Sequence, residues 1–291
     1  MTITPQTTAV RTYFEGRWHD GDLAVMKASD HGIWQGSSVF DGARRFDGLV
    51  PDLDKHCARL NRSAEALMIT PTYTPNHIEA LIREGLANFV PGQAVYIRPM
   101  YWALHGSDLG ISPQPDATGF AIALEECAMP SPAYATTVTR TRFRRPVLED
   151  AVCNAKAGCL YPNNARMLTE AKAKGFGNAL VADALGNLAE SATANVFLVK
   201  DGVVFTPVPN GTFLAGITRA RHIANLRADG VEVVETVLTF DDAHKADEIF
   251  LSGNFAKVTA VSAFDETLYP YRPMTERARA LYLDWAASLG A

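Results

Sequence analysis

The chain has 291 residues, 47% hydrophobic and 20% charged, which is ordinary for a soluble globular protein with room for one large or two modest domains. A formal net charge of −5 without a long basic cluster argues against nucleic acid as the main partner. No apolar run reaches the about 18 residues of a membrane span, and Met1-Thr-Ile-Thr-Pro-Gln-Thr-Thr lacks the basic start and apolar core of a signal peptide, so a cytoplasmic location is expected.

The first elements mix strand and helix. Arg11-Thr-Tyr-Phe-Glu-Gly-Arg-Trp18 places a turn-forming Glu-Gly between β-prone residues and reads as a hairpin; Gly36-Ser-Ser-Val-Phe-Asp-Gly-Ala-Arg-Arg-Phe-Asp-Gly48 repeats the pattern. Residues 52–68 are helical by spacing: Leu53, Cys57, Leu60, Ala64 and Leu67 recur at three and four residues, with Asp52 or Asp54 as cap. A second helix spans 75–89, with Ile78, Leu81, Ile82 and Leu86 on one face, and residues 94–102 and 119–124 return to strand. Cys127-Ala-Met-Pro-Ser-Pro-Ala-Tyr134 has two prolines and no periodicity, which places the domain boundary there.

Strands dominate the rest of the chain, at 137–143, 179–183, 195–199, 203–206, 231–238, 248–251 and 258–261, with Lys200-Asp201-Gly202 as a hairpin turn. Helices are expected at 163–174, 218–228 and 275–288. Arg140-Thr-Arg-Phe-Arg-Arg145-Pro reads as a solvated or pocket-lining strand. The expected architecture is α+β with two domains: 1–126 as a small N-terminal domain, 127–135 as the interdomain loop, and 136–291 as a larger, strand-rich domain. The four cysteines (Cys57, Cys127, Cys153, Cys159) fit no disulfide framework or zinc spacing and are expected as free thiols, with Cys153 and Cys159 as small core-filling residues.

The chain has only eight lysines, so a nucleophilic amine can be sought by elimination. Lys172 and Lys174 lie on a polar helix face, Lys200 is in a turn, and Lys245 is in a charged stretch. Lys156, in Ala-Val-Cys-Asn-Ala-Lys-Ala-Gly-Cys-Leu-Tyr, stands among small apolar neighbours. Desolvation there would lower its pKa and make it a nucleophile and base, although a partly exposed strand lysine fits the same residues. Glu190 follows the turn Ala184-Leu-Gly-Asn187; it reads as a carboxylate for a pyridine nitrogen or as a turn-capping glutamate. Thr218 opens a helix after Gly216, where free N–H groups at Ile217 and Thr218 suit a phosphate, or where the threonine is a plain cap. An amine, an acid and an anion-binding helix start are the parts a pyridoxal phosphate enzyme needs, and no metal, nucleotide or hydrolase motif competes with them.

Together these residues resemble the class IV (fold type IV) aminotransferases, and within them the branched-chain amino acid aminotransferases, from about Phe14 to Phe264. The resemblance is carried by five ordered blocks: Lys156-Ala-Gly-Cys-Leu-Tyr161, Glu190-x4-Asn195-Val-Phe, Phe205-Thr-Pro, Leu214-Ala-Gly-Ile-Thr-Arg219, and Ala246-Asp-Glu-Ile-Phe-Leu-Ser-Gly253. It implies a small N-terminal α/β domain, a strand-rich pseudo-barrel C-terminal domain, and pyridoxal 5′-phosphate as cofactor. Lys156 matches the Schiff-base lysine, Tyr161 the tyrosine near the cofactor's phenolic oxygen, and Glu190 the acid that pairs with the pyridinium. Arg59 matches the phosphate-binding arginine, helped by the backbone of Ile217 and Thr218; Asn195, Ser252 and Asn254 complete the cofactor set. Tyr96 and Arg98 match the tyrosine-x-arginine pair of the branched-chain substrate pocket, and Phe40 an apolar wall.

Two departures bear on the substrate. Gln35 stands where the family commonly has an aromatic residue, and the usual Gly-Thr-Ala-Ala turn is here Gly253-Asn254-Phe255-Ala256. That turn usually offers a threonine hydroxyl to the phosphate; Asn254 replaces the hydroxyl with an amide, and Phe255 adds bulk. The activity the resemblance implies is ping-pong transfer of the amino group of a branched-chain L-amino acid to 2-oxoglutarate. An (R)-selective amine or D-amino acid transaminase is the alternative, followed by aminodeoxychorismate lyase or a non-enzymatic binding module on the same fold. The resemblance further implies a homodimer or dimer-based oligomer, with Tyr101-Trp-Ala-Leu-His-Gly-Ser-Asp-Leu-Gly110 as the contact loop.

Overall fold

The structure, a computed structural model, describes residues 9–289. They group into two compact units: the chain up to Met129 together with Ala155–Cys159, and Pro130–Asn154 together with the chain from Leu160 on. The expected division placed Lys156 in the second domain, but its short segment belongs to the first unit, where its backbone bridges to Val39.

In the first unit, β1 (Val10–Phe14) and β2 (Arg17–Asp20) form a hairpin over Glu15 and Gly16. A short helix α1 (His31–Trp34) leads to β3 (Ser38–Phe40) and β4 (Ala43–Arg45). These two strands were expected to pair with each other; instead both lie antiparallel to β5 (Val95–Ala103), which is long enough to accept them in succession. β6 (Thr118–Glu126) pairs with β5 and β1, so the sheet runs β2-β1-β6-β5-β3 with β4 also on β5.

Helices α2 (Leu53–Ala66) and α3 (Pro75–Leu86) pack against each other in this unit. The α2 stripe of Leu53, Cys57, Leu60 and Ala64 is almost wholly buried; truncating Leu60 to alanine is expected to cost about 2–5 kcal/mol. Asp52 sits at the start of α2 with a φ of 54° and makes no side-chain cap. Its carboxylate accepts from Lys55 at 2.6 Å instead, which corrects the expected cap. α3 starts as its sequence suggests, with Thr74 accepting from His77 N and Pro75 in the first turn, where a missing N–H costs nothing. Tyr101 and Trp102, expected in a contact loop, are core residues of β5 instead. Trp102 Nε1 donates to Asp30 at 3.0 Å, and the loop proper begins at Leu104.

The second unit contains β7 (Ala135–Arg144), α4 (Tyr161–Ala173), β8 (Asn178–Ala182), β9 (Leu188–Ser191), β10 (Asn195–Lys200), β11 (Val203–Pro207), α5 (Ile217–Ala228), β12 (Val233–Thr236), α6 (Phe240–Lys245), β13 (Glu248–Gly253), β14 (Lys257–Phe264), β15 (Thr267–Leu268) and α7 (Pro273–Ser288). Its sheet runs β12-β11-β10-β13-β14-β7-β8-β9, with β15 on β14. The pairs β11–β12, β14–β7 and β7–β8 are parallel and the others antiparallel. β9, at one end of this order, comes back against β10 and β11, so the sheet curls on itself. Its buried strands read as continuous apolar runs, as in Val196-Phe-Leu-Val199 and Ile249-Phe-Leu251, because both faces are covered. α5 and α7 pack on one side, with Phe197, Phe250, Ile223, Leu226 and Ala278 in one cluster. The cysteines are free: Cys57 and Cys153 are buried, while Cys159 is exposed and so is not the core filler expected. Among the described residues no helix is long and apolar enough to cross a membrane.

Candidate active site

In the first unit the segment carrying Lys156 docks on β3 and α2. Phe40 N donates to Lys156 O at 3.2 Å, Val39 and Ala157 form an antiparallel bridge, and Lys156 N donates to Ser63 Oγ at 3.0 Å. These bonds fix the backbone, leaving the half-buried side chain to reach over Phe40, with Nζ 4.5 Å from the ring centre. A cation over an aromatic face is a favourable contact that helps to hold the amine in place.

Beside it, Asp41 is fully buried. Its Oδ1 accepts from His56 Nδ1 at 2.7 Å and from Arg59 Nη2 at 2.8 Å, and its Oδ2 accepts from Arg59 Nε at 2.7 Å. Burial alone would push the Asp41 carboxyl up, but the Arg59 guanidinium and then His56 hold it well below the usual carboxylate range. His56, Arg59 and Ser63 are three and four residues apart, so one face of α2 presents all three. Arg59 is thereby aimed by a bidentate fork, the geometry that makes arginine suited to phosphate.

Tyr96 and Arg98 share a face of β5, with the guanidinium 5.2 Å from the Tyr96 ring centre and Arg98 Nη2 3.3 Å from Glu125 Oε2. A Cβ on Gly42 would lie 2.3 Å from Tyr96 Oη, so only glycine permits this tyrosine to approach the Asp41 turn. Gln35, at the end of α1, is exposed.

The second unit assembles another set. Glu190 follows the turn at 184–187, lies within β9, a strand the sequence pattern does not mark, and is 8% exposed. Its Oε1 is 2.9 Å from Arg145 Nε and its Oε2 accepts from Asn195 Nδ2 at 3.2 Å. Arg145 in turn donates to Asn164 Oδ1 at 2.5 Å and to the Ser191 carbonyl at 3.2 Å. A carboxylate held on both oxygens this way is fixed in orientation.

Asn195 also donates to Leu214 O at 3.1 Å, and a Cβ on Gly216 would lie 2.2 Å from Asn195 Oδ1. The start of α5 is therefore packed against the residue that holds Glu190. No side chain caps this helix, and Ile217 and Thr218 occupy its first turn. Across β10 and β13, Asn195 is in register with Ser252. Ser252 Oγ and Asn254 Nδ2 are buried without a hydrogen-bond partner. Unsatisfied buried polar atoms cost free energy, so these two on one turn suit an anion that accepts hydrogen bonds, as does the uncapped start of α5. Tyr161 opens α4 and is 38% exposed; Phe255 is exposed at the turn and Ala256 half-buried.

The structure thus brings Phe40, Arg59 and Lys156 together in one unit, and Glu190, Asn195, Ser252 and the start of α5 in the other. Asp41, Ser63 and Arg145 escaped the sequence reading. In sequence Asp41 merely precedes Gly42, Ser63 falls inside the helical stretch 52–68, and Arg145 ends a basic run, so no local pattern marks their partners. The proline after Arg145, which ends the strand, was the one available signal.

Residues 38–264 match the family model for class IV amino-transferases. The chain is 56% identical to an aminotransferase from Brucella abortus whose crystal structure holds PLP, with a TM-score of 0.94 over 96% of this chain and 99% of that one. It is 30% identical over 261 residues to the branched-chain-amino-acid aminotransferase of Escherichia coli strain K12, covering 86% of this chain and 82% of that one. A T.th. branched-chain amino acid aminotransferase, complexed with N-(5′-phosphopyridoxyl)-L-glutamate, is 28% identical with a TM-score of 0.88 over 97% of this chain and 96% of that one.

Proposed function

The chain belongs to the class IV aminotransferases, and we propose that within them it moves the amino group of a branched-chain L-amino acid to 2-oxoglutarate. It is a transaminase of fold type IV and its cofactor is pyridoxal 5′-phosphate. Each unit offers groups that suit it: a primary amine and an arginine in the first, and a held carboxylate, an uncapped helix start and two orphaned buried polar atoms in the second.

When bound, pyridoxal phosphate supplies an aldehyde that condenses with amines and a protonated ring that takes up the electron pair released at the substrate Cα. Lys156 would supply the amine that holds the aldehyde and the base for the substrate Cα proton. Glu190, paired with Arg145 and oriented by Asn195, would hold a proton on the ring nitrogen. Arg59, the N–H groups of Ile217 and Thr218, Ser252 and Asn254 would bind the phosphate, and Tyr161 would lie near the phenolic oxygen.

Tyr96 and Arg98 on β5, with Phe40, face the substrate, and this pair is the observation that carries the branched-chain reading. The glutamate adduct bound by the T.th. relative supports 2-oxoglutarate as the acceptor in a ping-pong cycle. The second reading, an (R)-selective amine or D-amino acid transaminase, draws on the exposed Phe255 at a turn where the family has alanine. A homodimer is proposed with it, the loop after β5 carrying Leu109, 88% exposed, towards the partner.

The test is a donor panel of L-leucine, L-valine, (R)-1-phenylethylamine and D-alanine against 2-oxoglutarate and pyruvate. Turnover of the two L-amino acids with 2-oxoglutarate is expected. Turnover of the (R)-amine or D-alanine in their place would overturn the branched-chain reading and leave the transaminase standing.

A further inference from the structure

Lys257 opens β14 and is 2% exposed, with a left-handed φ of 62° that is uncommon for a residue other than glycine. Lysine is seldom buried this fully unless its charge is paired. Its Nζ donates to Asn254 Oδ1 at 2.5 Å across the turn and lies 5.5 Å from the centre of the Tyr282 ring on α7. An ammonium has donors only, so it accepts no amide hydrogen and must face the amide oxygen. The amide nitrogen is thereby turned the other way. That nitrogen, Asn254 Nδ2, is buried with no hydrogen-bond partner, as is Ser252 Oγ two residues earlier on β13.

The turn is also tied to α5. His222 Nε2 donates to the Lys257 carbonyl at 3.2 Å, and burial pushes the imidazole down to about 4, so it remains a neutral, single donor near pH 7. The uncapped first turn of that same helix holds Ile217 and Thr218.

We propose that Lys257 is a positioning residue for phosphate recognition: its ammonium locks the Asn254 amide with Nδ2 presented to the cofactor phosphate. A lysine-oriented amide thus does here what a threonine hydroxyl does in the usual Gly-Thr-Ala-Ala turn. The inference rests on the reading that Ser252, Asn254 and the start of α5 bind the phosphate.

Three substitutions test it in the full-length apoprotein titrated with pyridoxal phosphate, and with pyridoxal, which lacks the phosphate. Asn254→Asp keeps a partner for Lys257 but offers only acceptors. Lys257→Met keeps length and removes the ammonium. Asn254→Thr supplies a hydroxyl that needs no orienting lysine. Asn254→Asp and Lys257→Met are each expected to weaken pyridoxal phosphate about tenfold or more, as loss of a charge-assisted hydrogen bond does, and pyridoxal by less than about twofold. In the Asn254→Thr background, Lys257→Met is expected to change pyridoxal phosphate binding by less than about twofold, the limit of independent action.

Wild-type affinity in Asn254→Asp, equal weakening of both ligands, or the same Lys257→Met loss in both backgrounds would overturn the proposal. Apoprotein melting separates a folding defect from a binding one, and if Lys257→Met does not fold, Asn254→Asp decides alone. A wild-type protein that binds pyridoxal phosphate and pyridoxal equally would instead remove the phosphate reading itself.

Discussion

In the first unit Asp41 is fully buried and both its oxygens are taken by Arg59, with His56 and the Gly42 N–H added to Oδ1. In the second unit Glu190 keeps 8% of its surface, with Arg145 on one oxygen and Asn195 on the other. Both are buried arginine–carboxylate pairs, but on the proposed chemistry they run in opposite senses. Asp41 is saturated so that the arginine is aimed, whereas Arg145 spreads its donors over Asn164 and Ser191 so that the acid is aimed. The working member of such a pair is the one whose partner is anchored elsewhere. Pairing by itself says nothing about which member that is, because a buried ion pair gives little net stability while its breakage is costly.

The largest effect belongs to neither acid. Lys156→Ala is expected to lower kcat/KM by about four orders of magnitude or more, since it removes nucleophile and base together. Mass spectrometry after borohydride reduction should find the cofactor fixed to the Lys156 peptide in wild type and released from the variant. Cofactor fixed to another lysine would end the proposed chemistry.

Glu190→Gln keeps shape and removes charge, and is expected to lower kcat about 10²–10³-fold while pyridoxal phosphate affinity changes little. Asp41→Asn should do the reverse. Leaving Arg59 buried without its counter-charge is expected to cost about 3–5 kcal/mol in urea unfolding. It should weaken the cofactor about tenfold, with kcat at saturating cofactor nearly unchanged. If Asp41→Asn instead lowers kcat and spares cofactor affinity, the two pairs work in the same sense and the contrast is lost.

The units are also expected to differ in acid. The folded pKa of Asp41 lies below its unfolded value, so its contribution is complete above the ordinary aspartate pKa and is lost only as pH falls towards the depressed value. His222 has a folded pKa of about 4, again below its unfolded value. As a base it is neutral in both states above its ordinary pKa, and the unfolded chain binds the extra proton as pH falls towards 4. Stability in the second unit should therefore begin to fall at higher pH, by about 3 kcal/mol in all. Melting of His222→Leu between pH 7 and pH 4 should show a flatter slope than wild type; an unchanged slope would assign the loss elsewhere.

Smallest is Gly216→Ala, whose new Cβ meets Asn195 Oδ1 at 2.2 Å. The displaced amide should loosen Glu190 and lower kcat by less than about tenfold, roughly one hydrogen bond.

Much of this was legible along the chain, where local rules apply. Leu53, Cys57, Leu60 and Ala64 mark α2 because a helix repeats its buried face every three to four residues, and Glu15-Gly16 marks a hairpin because glycine takes the positive φ the turn needs. β9 was missed because Leu188-Ala-Glu-Ser191 is short and carries a charge at its third position; pairing with β8 makes it a strand. Lys257 was passed over because a lysine beside a turn ordinarily lies in water, and nothing nearby in sequence announces burial.

The sequence by itself determined which chemical groups the chain owns and their order: the amine at Lys156, the acid at Glu190, the glycine-led helix start at Thr218. Periodicity and turn chemistry act over a few residues, so they also set most of the helices and strands. Only the tertiary structure decided how those groups are held. The partners are separated by 18 residues for Asp41 and Arg59, and by 93 for Ser63 and Lys156. Contacts across such spans depend on sheet order and packing, which no local pattern encodes.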